Sequence, residues 1–183
     1  AITQHYRPRF AQDAIPDTAV GQIVAVADKI DTIAGIFAAG KAPKGTSDPF
    51  ALRRGAIGIL QIALKGIAIN LDELISQALD NLSDISFDRS SVESDIKAFF
   101  IARLESMLKD SGISSEVISA VLAVSNTFPH DIFARCSALQ AFHNEGSDIE
   151  SRSAAYKKNK NLSDTSVGTN VNEALLEDVE RHV

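Results

Sequence analysis

The chain has no tryptophan, a single methionine and a single cysteine, and only 6% of its 183 residues are aromatic. One cysteine, Cys136, excludes an internal disulfide and makes a reducing compartment, the cytoplasm, the expected location. No apolar run approaches the roughly 20 residues a bilayer-spanning helix needs. Asp28, Lys29 and Asp31 interrupt the longest stretch, and Gln61 and Lys65 the next. The opening AITQHYRPRF is polar and basic, unlike a secretory leader. It lacks an initiator Met and begins in mid-pattern, as an excised fragment would. Positive charge is also short: the net charge is −6. That excludes coating nucleic acid by bulk electrostatics but leaves room for a local basic site.

Hydrophobic residues make up 45% of the chain, charged residues 23%, with Ala, Ile and Leu dominant. This composition favours a soluble body of packed helices, long enough for one large or two small domains. Helix signals punctuate the sequence. Asp17 or Thr18 opens a helix that Gly40 stops. Asp48 caps the next, with Pro49 at its first position and an end near Gly66. An amphipathic segment spans 71–82. Ser90 and Glu93 form a capping box for a helix to about Asp110, stopped by Gly112. Ser114 and Pro129 open two more. A second box at Ser147 and Glu150 leads into a basic helix, and Asn170 opens a last one. No strand pattern or internal repeat is evident, so the expected fold class is all-α. The polar stretch 81–91 is the best boundary, giving units 1–84 and 85–183.

The segment 27–54, ADKIDTIAGIFAAGKAPKGTSDPFALRR, carries the strongest chemical signal. Asp28, Asp31, Thr32 and Gly35 share one face of a helix that is otherwise apolar around most of its circumference. Burial of that helix demands a partner for the acids. Arg53 and Arg54 stand in the first turn of the following helix, where the macrodipole disfavours cations and an anion is wanted. Three readings follow: an ion-pair lock of Asp28 and Asp31 with Arg53 and Arg54, a working carboxylate pair, or an RNA or subunit contact. The residues favour the lock. The loop GKAPKGTS has P-loop glycine spacing but Thr46 in place of the lysine, and it follows a helix. Lys41 and Lys44 remain as candidate backbone contacts.

The one basic cluster is Lys157, Lys158 and Lys160 with Arg152 a turn or two earlier, and Tyr156 beside it offers a ring for base stacking. His130-Asp131 spells the dipeptide of HD phosphohydrolases, but it sits at a helix start where Asp131 serves the dipole. No histidine shows metal-ligand spacing, so no metal site is expected. Cys136, near Phe133, Leu139 and Phe142, reads as a core residue. No catalytic residue is assigned.

HYRPRF (His5 to Phe10), ADKIDT (Ala27 to Thr32), Gly35, Phe37, Gly40 and PKGTSDPFALRR (Pro43 to Arg54) closely resemble bacterial glycyl-tRNA synthetase beta chains. The likeness continues more loosely through FFIARLESMLKDSGISSEVISAVLA and RCSALQAF, nearly the whole chain. SAAYKKNKNLS is similar to a family segment usually reading AANKRxxNIL, with Tyr156 where Asn is usual. The resemblance implies a subunit of a heterotetrameric glycine–tRNA ligase, whose alpha chain holds the site for glycine, ATP and Mg and whose beta chain handles tRNA(Gly). The fragment itself is expected to be non-catalytic and without cofactor, with no DNA or membrane partner. Its first unit resembles the later part of an HD-like helical domain, and its second the incomplete start of a DALR-type anticodon-binding domain. The rival readings are a divergent HD-type metal-dependent phosphohydrolase using Asp28, and a purely structural helical scaffold.

Overall fold

The computed structural model describes residues 3–10, 13–82 and 84–144. Six α-helices follow one another: α1 (Ala19–Ala38), α2 (Leu52–Lys65), α3 (Leu71–Asp80), α4 (Arg89–Asp110), α5 (Ser115–Leu122) and α6 (Pro129–Asn144). Among the described residues the only β pairing is an isolated bridge between Lys44 and Ser47, so the described architecture is all-α.

Local chemistry sets most helix ends where the sequence places them. The Thr18 hydroxyl accepts from Gly21 N–H at 3.1 Å, and Ser114 caps α5 in the same way. Gly40, with φ +70°, turns the chain away after α1, a conformation in which a Cβ would be strained. Two starts differ from expectation. Pro49 precedes α2 by three residues instead of opening it, because a turn closed by Ala51 N–H to Asp48 O places Ala51 at φ +54° first. In α4 the cap is Asp88, whose carboxylate accepts from Ser91 N–H at 3.2 Å and from the Ser90 hydroxyl at 2.8 Å. A carboxylate is the stronger acceptor, so Ser90 becomes a first-turn residue rather than the cap. The expected helices from Ser147 and from Asn170 lie outside the described residues.

Apolar faces dictate the packing. α1 packs most extensively on α2 and also meets α3 and α4, while α4 lies across α1, α2 and α3. Ala25, Ile33, Ile59, Leu60, Leu71 and Phe100 are essentially solvent-free in the common core. Phe37 and Phe99 meet edge to face, with ring centroids 5.1 Å apart, a geometry that adds to their burial energy. Phe100, Leu104 and Leu108 of α4 complete this core, which therefore has residues on both sides of the 84/85 position. By contacts, Ala1–Ala141 form one compact unit and Phe142–Val183 a second. Of the second only Phe142–Asn144, the end of α6, is described.

Gln22 ties distant segments together. Its buried side chain donates to Pro16 O at 2.9 Å and accepts from Ile67 N–H at 3.0 Å. Gly66 leaves room for it: a Cβ there would overlap the carboxamide. No described helix is long and apolar enough to cross a membrane.

Candidate nucleic-acid interface

The expected lock between acids and arginines does not form. Asp28 and Asp31 are both exposed. The ion pairs among the described residues are Arg9–Asp13, Arg89–Asp80, Lys97–Asp72 and Arg135–Asp131. The packing face of α1, through Ala25, Ile33 and Phe37, turns Asp28 and Asp31 outward. Arg53 spends its guanidinium on the preceding loop, donating to Gly45 O at 2.5 Å and Thr46 O at 3.4 Å. The anion at the α2 entrance is Asp48, which accepts from Leu52 N–H at 2.8 Å and Arg53 N–H at 3.0 Å.

Lys29, between the two acids, does the joining instead. Its half-buried Nζ donates to His5 O at 2.9 Å, Arg7 O at 3.2 Å and Ala25 O at 3.3 Å. The segment HYRPR, which contains a cis Arg7–Pro8 bond and a buried Pro8, is thereby held on α1. Burial pushes the Lys29 ammonium below its ordinary range, with the Asp28 charge opposing that shift.

This docking brings the three most distinctive sequence segments to one cleft of about 430 Å³. HYRPRF supplies Tyr6 and Arg9, ADKIDT supplies Asp28 and Thr32, and PFALRR supplies Phe50 and Arg54. Tyr6 is 64% exposed and Phe50 46%, so two rings stand at the mouth, with the His5 ring against that of Tyr6 at 3.8 Å between centroids. Arg54 is exposed and enters none of the ion pairs. Arg9 pairs with Asp13 at 3.0 Å, and the Arg9 backbone N–H, followed by that guanidinium, holds the Asp13 carboxyl below its ordinary value. Thr32 is committed locally, its hydroxyl donating to Asp28 O at 3.0 Å. Ala51, at φ +54°, is a non-glycine residue in the left-handed region at the cleft wall, where strained backbone is commonly found at working sites. Exposed rings with neighbouring guanidinium groups match what unpaired nucleotides bind: a π face and a counter-charge.

The basic character continues from the cleft into the 40–48 loop. Lys41 and Lys44 are exposed there, and the Arg53 bonds to Gly45 and Thr46 fix the loop to α2. Beyond it Arg103 of α4 lies 3.8 Å above the Phe99 ring centroid and donates to Phe99 O at 3.0 Å. Burial lowers its pKa, the Arg53 charge adds to the shift, and Asp48 opposes it. Arg53, Lys65 and Arg103 border a groove of about 740 Å³ in which Asp110 is the only acid. No periodicity or spacing rule singles out Lys29, whose His5 and Arg7 carbonyl partners are distant in sequence, whereas Arg103 meets the ring and carbonyl of Phe99 one helical turn earlier. The exposed aromatics of HYRPRF and DPFALRR were the available signal for the cleft.

Lys157, Lys158, Lys160, Arg152 and Tyr156 lie outside the described residues. Asp131 is occupied by Arg135 at 2.6 Å and Ser125 at 3.3 Å, in keeping with a first-turn acid. Cys136 is buried, which pushes its thiol pKa up. Among the described residues no group of three or more His, Cys, Asp or Glu side chains is placed to hold a metal ion. Among these residues Asp28 has no such ligand set beside it.

The family described as "Glycyl-tRNA synthetase beta subunit" matches residues 1–123. Curated relatives carry the name glycine–tRNA ligase beta subunit. The one from Methylobacillus flagellatus is 41% identical over 186 residues, covering 99% of this chain and 26% of the relative. That from Clostridioides difficile is 38% identical over 179 residues, covering 97% and 26%. That from Vibrio atlanticus is 42% identical over 163 residues, covering 88% and 23%. The chain thus spans about a quarter of the length of these relatives.

Proposed function

Because the chain belongs to the glycyl-tRNA synthetase beta subunit family, we propose that it is a tRNA-handling part of a glycine–tRNA ligase. In this reading it supports glycine attachment to tRNA(Gly) without bond-making groups of its own. An alpha subunit supplies the chemistry with ATP and magnesium. The stretch holds the later part of an HD-like unit and the start of an anticodon-binding one, and works in the cytoplasm.

One observation carries the assignment of the contact surface: HYRPRF, ADKIDT and PFALRR converge on a cleft with two exposed rings and two arginines. An unpaired nucleotide stacks on Tyr6 or Phe50 while Arg54 meets its phosphate. Lys41 and Lys44 extend the track along the backbone, and Lys157, Lys158 and Lys160, with Arg152 and Tyr156, add a second contact on the basic segment. Stacking of one base contributes about 1–3 kcal/mol, so a lost ring costs roughly 5- to 150-fold in affinity.

The test is tRNA binding and glycine charging by full-length beta subunit assembled with its alpha subunit. Phe50→Ala and Tyr6→Ala raise the KM for tRNA and leave that for glycine unchanged, and Phe50→Trp restores it. Lys41→Glu with Lys44→Glu lowers the salt slope of tRNA affinity by about two. Unchanged tRNA affinity in both sets removes this surface from the reading.

A further inference from the structure

The face of α1 opposite its packed side is not the polar surface expected of an outer helix. Val20, Ile23, Val24, Ala27, Asp28 and Asp31 form one continuous exposed stripe at helical spacing. Val20 is 62% exposed and Ile23 56%. A helix apolar on both faces is a buried helix, so α1 presents half of a core whose other half is not among the described residues. The stripe runs into a groove of about 670 Å³ between α1 and α3, with Ile23, Ile67 and Leu74 in its walls and Asp28, Asp31 and Glu73 beside them. All three acids are exposed, and none forms an ion pair within 4.0 Å among the described residues. Glu73 accepts a neutral bond from the Asn70 amide at 2.8 Å.

We propose that the α1–α3 groove seats an amphipathic helix of the same polypeptide, from outside these 183 residues. Its apolar face lies on Val20, Ile23 and Val24, and its flanking lysine or arginine side chains meet Asp28, Asp31 and Glu73. Charge complementarity selects the occupant. Phosphates of RNA are repelled by three acids on an apolar bed. A second copy of a chain carrying −6 would set the same acids against like charge. The length available agrees: the Methylobacillus and Clostridioides relatives have about three quarters of their sequence outside the matched stretch. Stable docking of such a helix is driven by the apolar area it covers, and the acids fix its register. The RNA reading concerns a different cavity and the opposite sign of charge, with Asp28 bordering both.

The experiment uses the full-length beta subunit. Ile23→Cys is labelled with a maleimide and compared with Val124→Cys, whose position is 82% exposed, each read above the labelling of the unsubstituted subunit. Labelling at position 23 is expected to be at least ten-fold slower. Val24→p-benzoylphenylalanine, irradiated in the native protein, is expected to attach within its own chain to a segment beyond this stretch and rich in Lys or Arg. Equal labelling rates overturn the proposal. So does photo-attachment to a second beta chain, to the alpha subunit or to RNA, and so does no attachment at all. Because a face that is simply exposed gives fast labelling whether or not tRNA binds the cleft, failure here leaves the RNA reading standing.

Discussion

Replacing Lys29 with Met should release the HYRPR segment while leaving the helical core folded. The thioether keeps most of the aliphatic stem that lies along Gly58, where Lys29 Cε comes within 3.2 Å of a would-be Cβ, so packing loss is small. What disappears is an ammonium donating to three carbonyls. Ala25 O keeps its helical partner, leaving the His5 and Arg7 carbonyls as the real losses. Hydrogen bonds to a charged group contribute about 1.5–3 kcal/mol each. Desolvation of the ammonium, the same burial that depresses its pKa, takes back a large part. A net of about 2 kcal/mol remains, which shifts the docked-to-released ratio by roughly 30-fold. Trypsin cleavage after Arg9 reads that ratio when opening is fast relative to cleavage. The expected result is cleavage about 30-fold faster in Lys29→Met, a Tm lowered by only a few degrees, and no change in Asp28→Asn. Equal cleavage rates in Lys29→Met and the parent would refute the claim that this amine organises the cleft.

Two further outcomes are expected. Ala51→Gly relieves a left-handed backbone at φ +54°, and the relief of about 1–2 kcal/mol exceeds the added unfolded-state entropy; a higher Tm by thermal melt is the result, and a lower one contradicts the strain. For Asp72, burial acts to raise the pKa, but hydrogen bonds from Lys97 at 2.5 Å and Thr127 at 2.9 Å outweigh it and hold the carboxyl below the ordinary 3.8. Its contribution to stability is therefore complete above pH 3.8 and lost as pH falls through the lower folded value. Asp72→Asn should flatten that part of the Tm-versus-pH curve and leave the curve near neutrality lower but parallel.

Helix positions were legible because their signals are local. Thr18, Ser114, Pro129 and Gly40 each act on neighbours within a turn, and the structure uses all four as expected. Errors of two or three residues came at α4, where the Asp88 carboxylate displaces Ser90 as acceptor, and at α2, where a turn from Asp48 to Ala51 precedes the helix. The candidate site was harder, because its geometry depends on which side of α1 faces the core. The apolar circumference of α1 implied burial all round, so acids paired with arginines followed. In the fold one side faces out, the acids need no partner, and Arg53 turns to the Gly45 and Thr46 carbonyls. The segments of the cleft were recognisable as strings, but their convergence rests on Lys29 reaching carbonyls more than 20 residues away.

The bond pattern at Gln22 restricts that position to one amino acid. Donation to Pro16 O and acceptance from Ile67 N–H settle which end of the amide is nitrogen and which is oxygen. Glutamate, equal in length, would set an oxyanion against a carbonyl oxygen, and methionine would strand both backbone groups away from water. Drift at this site between related chains should therefore be confined to cases where the turn at 66–67 has been rebuilt as well.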